Sequence, residues 1–115
     1  MAGITYQTHR MNIFNIAVLS SGMSRGSNLK AMANYFNDNK LPVQIVFVIR
    51  TKAEAPIKDI CDELNITCHY IPYKERTLFE EKVIYLINYH NVHLLALAGF
   101  LKQLSPSFIN ESGVP

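Results

Sequence analysis

Apolar residues occur along the chain in two patterns, as short continuous runs and as stripes at helical spacing. The continuous runs are typical of strands buried on both faces of a parallel sheet. They cover residues 13–19, 43–49, 67–71 and 93–98. Stripes spaced i, i+3, i+4, i+7 lie between these runs and predict three helices. The stripes are Leu29, Met32, Ala33 and Phe36; then Ile57, Ile60, Cys61 and Leu64; then Phe79, Val83, Leu86 and Ile87.

Alternation of strands and helices predicts an α/β fold, a Rossmann-like parallel sheet with helices on both faces. Local signals refine the helix ends. Asn65 suits a left-handed C-cap, and Thr77 with Glu80 suits a capping box that opens the third helix. Ser105, followed by Pro106, suits the start of a further helical turn that runs to Asn110. Ligands of such folds bind at the carboxyl ends of the strands.

The fourth predicted strand, residues 94–98, is apolar on both faces and would be an exposed edge if no further strand followed. Soluble proteins avoid such edges. We therefore expect residues 13–115 to be the amino-terminal part of one larger domain, truncated before its catalytic segment, with residues 1–12 as a leader. An unpaired edge also favours self-association, so a homodimer is a possible state.

Composition narrows the function classes. The 115 residues are 49% hydrophobic and 17% charged, which predicts one packed domain. The net charge of +2 and the scattered basic residues exclude a nucleic-acid-binding stripe. The leader lacks the apolar segment of a secretory signal, and no apolar run is long enough to cross a bilayer. We expect a cytoplasmic protein without membrane contact.

Cysteine and histidine spacing gives no metal motif. Cys61 and Cys68 do not form a C-x-x-C pair, and we interpret both as core residues in a reducing compartment. His90 and His93 form an H-x-x-H pattern that allows a metal interpretation. Without a third ligand, an exposed helix terminus is the stronger interpretation. We expect no metal.

The turn after the first predicted strand, Ser20-Ser21-Gly22-Met23-Ser24-Arg25-Gly26-Ser27-Asn28-Leu29, connects a strand to a helix through small residues. The first amides of a helix lack partners within it, and the helix dipole makes that end positive. Ser27 and Asn28 can cap the helix and can also contact a ligand. From the turn alone, a phosphate site and a plain βα turn are about equally supported, since neither a dinucleotide fingerprint nor a Walker A loop is present.

Two motifs resemble a known family. The segment Ser21-Gly22…Gly26-Ser27-Asn28-Leu29-Lys30-Ala31 resembles the Ser-Gly-x-Gly-Ser-Asn-Leu-x-Ala loop of the phosphoribosylglycinamide formyltransferases. Leu97-Ala98-Gly99-Phe100-Leu101-Lys102-Gln103-Leu104-Ser105-Pro106 is similar to their Leu-Ala-Gly-Phe-Met-Arg-x-Leu-Ser-Pro segment. An arginine at the start of the third helix, here Arg76, is a further match. The resemblance extends over residues 13–109.

The resemblance implies roles for three groups of residues. Gly26, Ser27 and Asn28 would hold the phosphate of phosphoribosylglycinamide. Arg76 would contact 10-formyltetrahydrofolate, the co-substrate. The pterin pocket would be lined by the backbone of Leu101, Lys102, Gln103 and Leu104. The family's function is formyl transfer to the glycinamide amine in purine biosynthesis.

The sequence also departs from the family pattern. The phosphate loop is two residues longer, and Arg50-Thr51-Lys52-Ala53 replaces Ser-Asn-Lys-Ala after the second strand. The segment after the second strand thus keeps the family's lysine and alanine, as Lys52 and Ala53, but has Thr51 in place of the family's asparagine.

The catalytic residues of the family are a further difference. Its Asn-Ile-His-Pro segment and its later Asp are not among the 115 residues. The resemblance implies that the asparagine and histidine would follow only a few residues beyond Pro115. No catalytic residue is therefore assigned within the chain, and we expect the chain alone to be inactive. The alternatives are another formyltetrahydrofolate-using enzyme and a non-enzymatic phosphate- or nucleotide-binding module.

Overall fold

The computed structural model describes residues 13–20, 26–98, 105, 106 and 108. Strands and helices alternate through this part of the chain, as the apolar pattern predicts. The elements are β1 (Phe14–Ser20), α1 (Ser27–Asp38), β2 (Val43–Arg50), α2 (Ile57–Leu64), β3 (Cys68–Tyr70), α3 (Arg76–Tyr89) and β4 (Leu94–Ala98).

The four strands form one sheet in the order β3-β2-β1-β4, and every described pairing is parallel. β1 is central and pairs with both β2 and β4. Ser20 is its last residue and lies opposite Arg50 on one side and Ala98 on the other. The carboxyl ends of three strands therefore meet at one edge of the sheet. Among the described residues β4 is an edge strand, and its Leu97 is 55% exposed.

Helices cover both faces, which confirms the predicted layers. On one face α3 packs its buried residues against alternate residues of β1 and β2, because successive side chains of a strand point to opposite faces. This cluster includes Ala17, Leu19, Phe47, Ile49, Phe79, Val83 and Ile87. On the other face α1 and α2 cover the intervening strand positions. This cluster combines Ile16, Val18 and Val48 of the strands with Leu29, Ile57 and Cys61 of the helices.

The predicted cap of α1 was wrong. Ser27 and Asn28 are the first two residues of the helix, and the N-cap is Gly26, whose φ of 81° is left-handed. No side chain caps this end. The helix therefore begins after a residue in the left-handed backbone conformation, without a capping side chain. Glycine adopts this conformation at low cost because it has no Cβ.

The predicted capping box of α3 was also wrong. The helix begins at Arg76, one residue earlier than Thr77, with extended Glu75 at the N-cap and no side-chain cap. Glu80 is buried and hydrogen-bonds Ser105 instead of the helix start. Asn65, by contrast, has φ 58° and ψ 41° at the end of α2, which confirms the left-handed C-cap.

The predicted start of a helical turn at Ser105 is confirmed for the described residues. Ser105 Oγ accepts a hydrogen bond from the backbone N–H of Phe108 at 3.1 Å, the contact of an N-cap with the third helical residue. Pro106 follows in helical conformation. Among the described residues, no helix combines the length and apolar character that crossing a membrane requires.

Candidate functional site

Gly26 stands where the chain enters α1, and α2 packs directly against it. A Cβ at this position would lie 2.9 Å from Ile60 Cγ1 and 3.3 Å from Ile57 Cγ1. Both the positive φ and this close contact require glycine. The start of α1 is therefore held in place by the neighbouring helix. Residues 21–25 of the same turn lie outside the described residues.

The amino end of α1 presents helix amides that the helix itself does not satisfy. The Lys30 N–H donates to the Gly26 carbonyl at 2.9 Å, and this is the first turn of the helix. The N–H groups of Ser27 and Asn28 precede that bond, so the helix supplies no partner for them. Both residues are exposed, and the first turn contains no acidic side chain. The positive end of the helix dipole is thus uncompensated by the first turn, which favours an anion.

A cavity of about 180 Å³ adjoins this end of α1. It lies between the first turn of α1 and the carboxyl half of β4. Its lining consists of Val18, Asn28, Leu29, Met32, Ala96, Leu97 and Ala98. The structure therefore brings the turn after β1 next to the strand that leads into the second family-like motif.

Arg76 is the first residue of α3, and it is exposed. Glu80 lies one helical turn later, so the two residues are on the same side of the helix. Glu80 is only 7% exposed, and its carboxylate accepts hydrogen bonds from the backbone N–H of Ser105 at 2.7 Å and from Ser105 Oγ at 2.6 Å. This contact ties α3 to the chain that follows β4.

The remaining predicted folate residues, Leu101, Lys102, Gln103 and Leu104, lie outside the described residues, as do residues 1–12. Ala98 and Ser105 are the nearest described residues before and after that segment. Their positions are set by β4 pairing with β1 and by the Glu80 carboxylate.

The catalytic residues expected beyond Pro115 are not part of the sequence, and Pro115 itself lies outside the described residues. The expectation that catalysis follows Pro115 therefore stays a prediction. The described part of the candidate site comprises the amino ends of α1 and α3 and the end of β4.

Arg50 was predicted to follow the second strand, and this boundary was wrong by one residue. It is the last residue of β2 and is 8% exposed. Its Nη1 donates hydrogen bonds to the Lys52 carbonyl at 2.7 Å and to the Ala53 carbonyl, and its guanidinium lies 5.1 Å from the centre of the Tyr70 ring. A buried arginine thus shapes the turn after β2. In the sequence Arg50 directly follows a run rich in β-branched residues. This position alone does not distinguish the last residue of a strand from the first residue of a turn.

The H-x-x-H pair does not form a metal centre in the described part of the chain. His93 Nδ1 accepts a hydrogen bond from the Asn15 N–H at 2.9 Å, and the His93 ring stacks on Phe14. His90 is the C-cap of α3 and packs against Phe47. The described residues contain no group of three or more potential metal ligands among His, Cys, Asp and Glu.

His69 also packs against Phe47, with ring centres 5.6 Å apart. Its Nε2 is buried and makes no hydrogen bond within the described residues. Burial, together with the nearby His90, lowers the pKa of His69 below its ordinary value. The two histidines therefore pack against Phe47 on the sheet face that α3 covers.

Known proteins share this fold. The chain matches the formyl transferase family over residues 14–114. It is 30% identical over 100 residues to the phosphoribosylglycinamide formyltransferase of Escherichia coli (strain K12), covering 84% of this chain and 46% of that protein. It is also 30% identical over 103 residues to formyltetrahydrofolate deformylase 2, mitochondrial, of Arabidopsis thaliana, covering 87% and 30%.

A solved phosphoribosylglycinamide formyltransferase from Coxiella burnetii superposes with a TM-score of 0.74 at 31% identity, covering 84% of this chain and 46% of that one. The chain thus spans less than half the length of each of these three proteins. The match over residues 14–114 shows that the chain belongs to the formyl transferase family, and the chain is homologous to phosphoribosylglycinamide formyltransferase.

Proposed function

We propose that this chain supplies the phosphate grip and part of the folate pocket of a phosphoribosylglycinamide formyltransferase. The enzyme transfers the formyl group of 10-formyltetrahydrofolate to the amine of phosphoribosylglycinamide, in the cytoplasm. The observation that carries the proposal is the amino end of α1, where exposed Ser27 and Asn28 follow a left-handed Gly26 that α2 holds in place.

The phosphate assignment rests on charge and geometry. A dianionic phosphate gains from the backbone N–H groups of Ser27 and Asn28 and from the positive helix end. Their side chains add hydrogen-bonding groups, and glycine before them allows close approach. Asn28 also lines the cavity that reaches β4, so a ligand held by its phosphate at α1 extends toward the segment after β4.

The folate assignment rests on the link between α3 and that segment. Arg76 precedes Glu80 by four residues, a rise of about 6 Å along the helix. Glu80 holds Ser105, which directly follows the proposed pterin-lining residues. We therefore place Arg76 and the backbone of residues 101–104 around one folate molecule. Main-chain N–H and C=O groups suit the donor and acceptor edges of a flat heterocycle, and apolar side chains suit its faces.

The proposed chemistry needs groups beyond these. The substrate amine attacks the formyl carbon, a tetrahedral oxyanion forms, and polar side chains must stabilise it and move its protons. The asparagine, histidine and aspartate that the resemblance assigns to this task are absent from the 115 residues. We propose that this chain binds and positions the substrates and that it does not by itself transfer the formyl group.

Calorimetric titration of the chain with phosphoribosylglycinamide, and separately with a folate analogue that cannot transfer its formyl group, tests the proposal. We expect both ligands to bind. Binding of the folate analogue without the ribonucleotide would instead favour a deformylase-like role, as in the Arabidopsis relative. Binding of the ribonucleotide alone would favour a phosphate-binding module. Formyl transfer by the 115-residue chain would overturn the assignment of catalysis to residues outside it.

A further inference from the structure

Two cysteines lie together on the sheet face that α1 and α2 cover, away from the proposed substrate site. Cys61 is in α2 and is fully buried. Cys68 opens β3, lies opposite Val48 in the register and is partly exposed. Both are unbridged thiols, and both pack in the same apolar cluster as Val48. One of the two residues is thus partly exposed while its neighbour is enclosed.

A buried cation lies beside this pair. Arg50 is two residues beyond Val48 in β2, so its side chain leaves the same face of the sheet. Within the described residues no carboxylate forms an ion pair with Arg50, and its buried Nε makes no hydrogen bond. The nearby carboxylate of Asp62 is exposed and pairs with Lys58 at 3.1 Å. A buried guanidinium without a counter-ion is costly, so an anion at Cys68 stabilises it.

The surroundings shift the pKa values of the two thiols in opposite directions. A hydrogen bond from Cys61 and the positive charge of Arg50 lower the pKa of Cys68 to about 7, against the opposing effects of burial and of Asp62. The same hydrogen bond, together with burial, raises the pKa of Cys61. Cys68 is therefore ionised in a substantial fraction of molecules at neutral pH, and Cys61 is the protonated thiol beside it. The two thiols thus interact with each other within one apolar cluster, which makes them neighbours although they come from different elements.

We propose that Cys61 and Cys68 are a redox pair that a small disulfide oxidises to an intramolecular disulfide, with the Arg50-stabilised sulfur of Cys68 as the attacking group. Cys68 Sγ attacks one sulfur of the oxidant R–S–S–R, forming Cys68–S–S–R and releasing R–S⁻. Cys61 then loses its proton, and its Sγ attacks Cys68 Sγ and releases the second R–S⁻. The two cysteines lose two electrons to the oxidant, and their two protons end on two R–SH molecules.

Oxidised glutathione added to the native full chain tests the proposal by intact mass and peptide mapping. We expect loss of two hydrogen atoms and a single peptide that joins Cys61 to Cys68. Cys61→Ser should stop at a mixed disulfide on Cys68, whereas Cys68→Ser should leave Cys61 unmodified. A wild-type chain that carries glutathione on Cys68 without closing to Cys61 would overturn the proposal.

Alkylation by iodoacetamide at pH 6 provides a second measurement that needs no variant. We expect Cys68 in the native chain to react on the order of tenfold faster than the same residue in urea, because its larger thiolate fraction outweighs the lower nucleophilicity of a less basic sulfur. Arg50→Gln should reduce this ratio. Equal rates for Cys68 in the native and the unfolded chain would contradict the thiolate assignment, whether or not the Arg50 variant folds.

Discussion

The Glu80 carboxylate receives two hydrogen bonds from Ser105, one from the backbone N–H at 2.7 Å and one from Oγ at 2.6 Å. The two residues are 25 positions apart in the sequence. Ser105 Oγ in turn accepts from Phe108 N–H, so a buried carboxylate orders the start of the helical turn after β4. This contact links the two parts of the chain to which we assign folate binding, the amino end of α3 and the segment before Ser105.

Replacing Glu80 tests the strength of this link. Glu80→Gln keeps the shape of the side chain but removes its charge and replaces one of the two accepting oxygens by an NH2 group, which cannot accept a hydrogen bond. We expect a loss of about 1–3 kcal/mol in the free energy of unfolding. Urea titration followed by circular dichroism measures it. The neighbouring Glu81→Gln is the matched control, because Glu81 is exposed and should change stability by less than about 0.5 kcal/mol. Equal effects of the two changes would contradict the role of Glu80.

Gly26→Ala tests the packing of the turn against α2. The new Cβ would lie 2.9 Å from Ile60 Cγ1 at a backbone φ of 81°. We expect a loss of at least about 1–2 kcal/mol in the free energy of unfolding, and weaker phosphate binding because the start of α1 must shift. Adding Ile60→Ala removes the closest contact, the one with Cγ1, and should therefore recover part of this loss. The contact of the new Cβ with the Ile60 Cβ at 3.0 Å and the cost of the positive φ remain. Full additivity of the two changes in a double-mutant cycle would argue against the close contact.

Ser27→Ala with Asn28→Ala tests the phosphate assignment. Side-chain hydrogen bonds to phosphate are lost while the backbone amides remain, so we expect weaker binding of phosphoribosylglycinamide by about tenfold or more and little change for the folate analogue. Asn34→Ala, an exposed residue of the same helix, serves as the control and should leave both affinities unchanged. If the double variant binds the ribonucleotide as well as the wild type does, the phosphate site lies elsewhere.

Arg76→Ala should have the converse effect. The guanidinium at the amino end of α3 is assigned to the folate, so its removal should weaken the folate analogue by about tenfold and leave the ribonucleotide unaffected. Lys82→Ala, which removes an exposed cation farther along α3, is the control. If the affinity for the ribonucleotide falls instead, Arg76 belongs to the phosphate site and the folate assignment is wrong.

The partly buried His69 predicts acid sensitivity. Its pKa is lowered in the folded chain from 6.5, so the folded state binds this proton less readily than the unfolded state does. Its full contribution to stability is therefore present above pH 6.5 and decreases as the pH falls below that value. Urea midpoints between about pH 8 and pH 5 measure the effect. His69→Phe should flatten the dependence more than His93→Phe does, and an unchanged pH profile in the His69 variant would contradict the burial effect.

The order of elements and the apolar faces were largely predictable from the chain. The runs that form β1, β2 and β4 and the stripes of α1, α2 and α3 each report local burial, which periodicity records directly. The left-handed Asn65 and the N-cap Ser105 were predictable for the same reason, because their bonds lie within a few residues. The resemblance of residues 97–106 to the family's second motif likewise needed no coordinates.

Two of the errors share one cause, which is a contact with a distant part of the chain. Glu80 has the spacing from Thr77 that a capping box needs, but burial beneath the segment after β4 gives its carboxylate a better pair of donors in Ser105. The apolar run ended the second strand before Arg50, whereas Arg50 pairs with Ser20 as the last residue of β2. Its guanidinium folds back on the Lys52 carbonyl and on the Tyr70 ring of the adjacent strand.

The sequence by itself determined the alternation of strands and helices, the position of the turn before α1 and the family resemblance, because these depend on residues close together in the chain. Only the tertiary structure decided that Gly26 rests on Ile60, that Glu80 holds Ser105, and that Arg50 lies beside two cysteines. These contacts join residues from different elements, and their free energies depend on burial and on charge pairing, which packing alone creates.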